Sequence, residues 1–167
     1  GAERIPDPHA WHNVAYAQQY VRNIAQGLAT LLPEEKESIQ GYEKRYQKRL
    51  QGLHHWVKKK LHHLPPQRRL FMTTHDGLGY LRTYGIRFLT PLGPSTSAEL
   101  SAQDLQRVIA CAKKKPVQGI FLENMTNPAL LKTLSEETKL PIGGTLYSDA
   151  LSPPEGPAPS YIAMVRH

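Results

Sequence analysis

Pro65-Pro66-Gln67-Arg68-Arg69-Leu70-Phe71-Met72-Thr73-Thr74-His75-Asp76-Gly77 is where the hydrophobic period of this chain changes. Before it, Tyr42, Tyr46, Leu50, Leu53, Val57, Leu61 and Leu64 recur every three or four residues, the period of one helix face. After it, apolar runs shorten to strand length and alternate with helical stretches. The paired prolines mark the boundary, since proline has no N–H and restricts the residue before it. Leu70 to Thr73 reads as a strand, Gly77 to Tyr84 as a short helix and Arg87 to Thr90 as a second strand. Ser101 to Lys115 reads as a helix, with Leu105, Val108, Ile109 and Ala112 on its apolar side and Ser101 and Asp104 spaced like a capping box. Gly119 to Leu122 is a third strand. Asn127 can cap a helix that begins at Pro128 and carries Leu130, Leu131 and Leu134, and Ile142 to Leu146 is a fourth strand. This alternation predicts an α/β fold, a four-stranded parallel sheet with helices on both faces, because parallel neighbours are joined by crossovers.

Towards the N-terminus, Val14, Ala17, Val21, Ile24, Leu28 and Leu31 form another helical stripe, with Asn13 as its N-cap. Pro33 stops that helix and can begin the next, where Glu34, Glu35 and Glu37 suit the positive end of the helix dipole. A single helix from Glu34 to His63 would be about 45 Å long, a strut more than a core element. The chain thus divides into residues 1–33, a strut over 34–64 and an α/β unit over 65–167. The proline-rich stretch from Pro153 to Pro159 is an ordered loop or a flexible turn.

The chain has 167 residues, 40% hydrophobic and 21% charged, and no apolar run nears the length of about 18 residues that a membrane span needs. Lys and Arg outnumber Asp and Glu by 21 to 14, a net charge of +7, but they are spread along the chain instead of forming one patch. Cys111 stands alone, which excludes an internal disulfide and a cysteine-based zinc site. The opening Gly1-Ala2-Glu3-Arg4-Ile5-Pro6 has neither an initiating Met nor a signal-peptide core, so a processed or truncated chain is expected.

Ligands of open parallel sheets bind beyond the carboxyl ends of the strands. Those ends deliver Thr73-Thr74-His75-Asp76-Gly77, Glu123-Asn124-Met125-Thr126-Asn127-Pro128 and Tyr147-Ser148-Asp149-Ala150. Pro6-Asp7-Pro8-His9-Ala10-Trp11-His12 adds a proline-stiffened loop just before the first helix. Imidazole and carboxylate are the usual ligands of zinc and manganese when no thiolate is offered. His9, His75 and Asp149 are therefore the candidate ligands, although their separations in the chain carry no local geometry of their own. Glu123 is a candidate for orienting a ligand histidine, for a hydrogen-bond acceptor or for a further ligand, and His12 is a second candidate for supporting the ligands from behind. The neighbouring pairs His54-His55 and His62-His63 point about 100° apart on a helix and cannot share an ion, so they read as solvated. Lys58 to Lys60 and Lys113 to Lys115 read as solvated faces, Cys111 as a small buried hydrophobe, and Tyr42, Tyr46 and Trp56 as packing residues.

Asp7-Pro8-His9-Ala10-Trp11, Thr74-His75-Asp76-Gly77-Leu78-Gly79-Tyr80, Gly119-Ile120-Phe121-Leu122-Glu123-Asn124, Gly144-Thr145-Leu146-Tyr147-Ser148-Asp149 and Tyr161-Ile162-Ala163-Met164-Val165-Arg166-His167 resemble, in order, the motifs of the zinc/manganese-binding receptors of bacterial ABC importers. In that family two α/β lobes are joined by one long helix and hold a metal between them. The resemblance implies that residues 1–33 are the remnant of an N-terminal lobe, 34–64 the interlobe helix and 65–167 the C-terminal lobe. It implies His9 as a ligand from the first lobe and His75 and Asp149 as ligands from the second. The family's further histidine from its first lobe has no counterpart before His9, so the site would be open to water, to His12 or to a neighbouring molecule, and would hold metal more weakly. The family also usually continues past this point into a terminal helix.

The function implied is that of an extracytoplasmic solute-binding protein, periplasmic or on the outer face of the membrane. It would pass zinc or manganese to an importer permease, and it would not be an enzyme. Nucleic acid is not an expected partner. An exposed strut stripe gives a motive for a homodimer or a domain swap. Two rival readings follow from the same residues. A zinc hydrolase would use His, His and Asp with Glu123 as general base, and a basic nucleic-acid-binding module would use the lysine-rich helix.

Overall fold

The computed structural model describes residues 6–90, 102–125 and 128–167. Two helices lead. Helix α1 spans Val14–Leu31, and the Asn13 side chain accepts from the Ala15 N–H at 3.0 Å, so the expected cap is present. Helix α2 spans Lys36–His62, about 40 Å at about 1.5 Å per residue. It is preceded by a separate 3-10 turn over Pro33–Glu35, which shortens the strut relative to the expected start at Glu34. Arg69 reaches back to the far end of α2, where its guanidinium donates to Leu64 O at 2.7 Å and to His62 O at 3.4 Å.

The α/β unit follows with strands β1 (Leu70–Met72), β2 (Arg87–Leu89), β3 (Ile120–Glu123) and β4 (Ile142–Leu146) and helices α3 (Ala102–Lys114), α4 (Pro128–Thr138) and α5 (Tyr161–Arg166). All neighbouring strands are parallel, in the order β2-β1-β3-β4. The four-stranded parallel sheet expected from the sequence is the observed one. The helix expected from Gly77 to Tyr84 is instead a 3-10 turn over Gly79–Tyr84, closed by Gly85 at φ +84°. Glycines at 77 and 79 give the first turn little helix propensity, and Gly85 ends it before an α-helix can propagate. The short helix α5 was not read from the sequence. The side chains of Ser101, Asp104, Asn127, Leu130 and Leu131, on which two expected caps and part of an apolar stripe rest, lie outside the described residues.

Alternate residues of the strands face opposite sides. Leu70, Met72 and Ile120, with Leu89 and Leu122, pack on Leu105, Val108, Ile109 and Ala112 of α3 and Leu134 of α4. Phe71, Phe88 and Phe121 face the other way, towards Trp56, Val57 and Leu61 of α2 and Met164 and Val165 of α5. Helices therefore flank both faces. A second core joins Val14 of α1, Leu50, Leu53 and Val57 of α2, and Tyr84. Ala17 of the predicted α1 stripe is buried too and Val21 packs against this core, but Ile24, Leu28 and Leu31 farther along it are exposed, and Tyr42 of α2 is exposed under Arg45. Cys111 is only partly buried, and His54 bonds the Tyr84 hydroxyl at 2.9 Å instead of standing in solvent. The proline-rich stretch is an ordered loop, tied by Ser152 N–H to Ala158 O and Ala158 N–H to Ser152 Oγ, both at 2.9 Å.

Candidate metal centre

Strand order makes the site. The chain leaves β1 for β2 on one side and later returns to β3 on the other, so the loops after β1 and β3 diverge and leave a crevice at the carboxyl ends of these strands. The loop after β1 carries His75, the last residue of β3 is Glu123, and the loop after β4 carries Asp149. From outside the sheet, the segment before α1 brings His9, just ahead of a 3-10 turn over Ala10–His12.

These segments meet. One ligand atom each from His9, His75 and Asp149 lies within 4.8 Å of the others. His9 Nε2 is 3.4 Å from Asp149 Oδ1, and His75 Nε2 is 3.2 Å from Asp149 Oδ2. The two imidazoles are edge to face, their centroids 5.3 Å apart. Both histidines are buried, while Asp149 stands on the solvent side.

Each imidazole is held from behind by a carboxylate. His9 Nδ1 donates to Asp7 Oδ1 at 2.7 Å, and the same oxygen accepts the His9 backbone N–H at 3.0 Å. His75 Nδ1 lies 2.5 Å from Glu123 Oε2. A carboxylate can only accept, so both rings carry their proton on Nδ1 and turn Nε2 to the crevice, the arrangement in which a second carboxylate orients a metal-binding histidine. Glu123 is anchored further. Its Oε1 accepts from Thr74 N–H at 2.9 Å, Thr74 Oγ1 at 2.7 Å and His75 N–H at 3.1 Å. Asp7 was missed by the sequence reading, although its place two residues before His9 is a local signal for such a contact.

Charge follows from this geometry. Burial opposes protonation of His75, yet the hydrogen bond and charge of Glu123, with Asp149 and Asp76 adding, carry its pKa above the ordinary imidazole value. Burial alone would raise the Glu123 carboxyl, but its bonds to His75 and Thr74 pull it below the usual carboxylate range. Glu123 is thus an ionised holder of His75, with both oxygens engaged, and is poorly placed to take a proton from a water as a hydrolase base would.

His12 does not join the three. Its Nε2 meets Ser148 O at 3.1 Å, and burial, with the charge of His9 adding, lowers its pKa to about 4 against the raising pull of that carbonyl. Of the other histidines, His55 bonds Gln51 O within α2, His62 and His63 are exposed, and His167 Nε2 meets Thr145 O of β4 at 2.9 Å.

The family described as zinc-uptake complex component A, periplasmic, matches residues 1–167. The chain belongs to this family. Among zinc-uptake component A relatives, it is 33% identical to the zinc-binding protein TroA of Treponema pallidum, over 96% of this chain and 54% of that protein. It is 27% identical to the manganese-binding lipoprotein MntA of Bacillus subtilis, over 100% of this chain and 56% of that protein. The chain spans about half the length of these curated relatives. The solved structure of the periplasmic zinc-binding protein TroA superposes with a TM-score of 0.93 at 30% identity, covering 100% of this chain and 62% of that one. A Mn-bound periplasmic metal-binding protein from candidatus Liberibacter asiaticus superposes with a TM-score of 0.86 at 28% identity, over 99% of this chain and 62% of that one.

Proposed function

We propose that this chain is part of an extracytoplasmic solute-binding protein that captures a divalent transition metal and hands it to the permease of an ABC importer. The observation that carries this reading is the convergence of His9, His75 and Asp149, with one ligand atom each within 4.8 Å, at the crevice beyond the strand ends. The ion is cargo, so no bond in a substrate changes. His9 and His75 supply neutral Nε2 donors, and Asp149 supplies a charged oxygen that offsets part of the ion's charge. Two nitrogens favour zinc, while the hard carboxylate keeps manganese within range. Three protein ligands leave a further position for water or another donor, so binding by this chain alone is weaker than by a closed four-ligand site.

In this reading residues 1–33 come from a first lobe, 34–64 form the interlobe helix and 65–167 a second lobe, with the site at their junction. The protein works in the periplasm or on the outer face of the cytoplasmic membrane. Self-association of the chain has no observation in its favour.

Calorimetric titration of the metal-free chain with zinc and with manganese tests the assignment. The His75→Ala, Asp149→Ala double variant is expected to lose at least about 100-fold in zinc affinity. Equal affinity in the variant and the parent overturns the site.

A further inference from the structure

We propose that Trp11 and His12 are positioning residues, a two-pronged clamp on the Ser148 carbonyl that fixes Asp149 opposite His9 and His75 before any ion arrives. The inference rests on the metal-site reading above and adds to it the device that organises the third ligand.

The contact joins the two ends of the chain. Trp11 Nε1–H donates to Ser148 O at 3.0 Å and His12 Nε2–H donates to the same atom at 3.1 Å. A carbonyl oxygen has two lone pairs, and both are taken here. Ser148 and His12 are buried, and Trp11 is half-buried, so neither bond is diluted by bulk water.

The clamped atom matters because of where it lies. Ser148 O belongs to the peptide that leads into Asp149, and that peptide is planar. Fixing its oxygen from two directions fixes the plane, and with it the position of the Asp149 Cα. One backbone angle and the side-chain rotamers then carry the carboxylate to His9 Nε2 and His75 Nε2, at 3.4 and 3.2 Å.

The clamp is itself braced. Tyr161 Oη–H, at the start of α5, donates to Trp11 O at 2.7 Å, and the His12 and Asn13 amides close the turn on His9 O and Ala10 O at 3.2 and 3.1 Å. The turn that bears the two donors is therefore the turn that follows His9. One short segment presents one ligand and sets another. His12 Nε2 is committed to the carbonyl and His12 is not among the three residues whose ligand atoms converge, which makes it a holder of the site and not a fourth ligand.

Hydrogen–deuterium exchange of the metal-free chain and zinc titration of the same samples test this together. His12→Leu is expected to raise exchange across residues 147–150 at least tenfold, to leave β1 and α2 unchanged, and to weaken zinc binding by about 10- to 100-fold. His12→Gln places an amide N–H where Nε2–H stood and is expected to restore most of both. Trp11→Phe, which keeps the ring and removes the other donor, is expected to act like His12→Leu and serves if that variant folds poorly. Unchanged exchange and affinity in both His12→Leu and Trp11→Phe overturn the clamp. A His12→Gln variant that loses zinc as fully as His75→Ala overturns it too, by making His12 a ligand. A parent chain that takes up no zinc while His12→Leu still loosens residues 147–150 overturns the metal-site reading, with the exchange readout keeping that failure apart from failure of the clamp.

Discussion

At Gly77 a hydrogen in place of a methyl decides where the His75 ring can lie. A Cβ there would stand 2.5 Å from His75 Nε2 and 2.6 Å from Cε1, far inside contact distance. The ring is already pinned from behind by Glu123, so it has nowhere to retreat except out of the crevice. Gly77→Ala is expected to cost about 10- to 100-fold in zinc affinity with little loss of fold, as calorimetry beside thermal unfolding would show. At the proposed site a proton would compete with the ion for the same nitrogen. Because Glu123 and Asp149 raise the His75 pKa, zinc affinity at the proposed site is expected to be full above that raised value and to fall as pH drops through it, by about tenfold per unit for this one proton. Glu123→Gln removes the charge that sustains the shift, so the fall is expected to begin at lower pH, which affinity measured against pH would reveal. At this scale the sequence was informative about identities and silent about distances. His75, Glu123 and Asp149 could each be picked out because they sit at strand ends, but nothing in the spacing of His12 announces a carbonyl 136 residues away.

Helix α1 begins with an amide that no helical carbonyl can satisfy, and the fold meets it with a side chain from the 3-10 turn after β1. Tyr84 Oη accepts from Val14 N–H at 3.1 Å and lies 2.9 Å from His54 Nδ1 on α2, so one hydroxyl ties both long helices to the α/β unit. Burial raises the Tyr84 pKa, the Val14 amide opposing, and the group stays a neutral hydroxyl. Tyr84→Phe keeps the ring and strands the buried amide, and is expected to destabilise the chain by about 1–3 kcal/mol in urea unfolding. Periodicity gave these helices and their facing stripes because the 3.6-residue repeat is local. It did not say how far along a stripe the burial runs. Val14 and Ala17 are core while Ile24 and Leu31 of the same stripe are exposed, since burial depends on what packs opposite and only the first half of α1 has a neighbour in Leu50, Leu53 and Tyr84. The strands were legible for the same reason as the helices. The 3-10 turn at Gly79–Tyr84 was not, because apolar spacing there fits either kind of helix.

For the molecule as a whole, the question is what holds the segment before α1 against the far side of the sheet. Protonation gives one handle. His12 has a pKa of about 4 in the fold against 6.5 for the free side chain, so between these values the unfolded chain takes up the proton first. Its contribution is therefore complete above pH 6.5 and is lost as pH falls towards 4, by about 3 kcal/mol in all. The difference in unfolding free energy between the parent and His12→Gln, followed from pH 7 to pH 4, isolates that share. The ion gives the other handle. Zinc held by His9, His75 and Asp149 would link segments from the start, middle and end of the chain, and the unfolded chain offers no such grouping. At about 100 times the dissociation constant, binding to the folded state alone adds about 2.7 kcal/mol, which for a chain of this size is about 5–11 °C in Tm. Asp149→Ala removes the group that both histidines face, and should abolish most of that rise while leaving the metal-free Tm nearly unchanged, because Asp149 is on the solvent side. Differential scanning calorimetry with and without zinc distinguishes this from metal bound at scattered histidines, since His55, His62 and His63 are intact in the variant and would raise its Tm as much as the parent's.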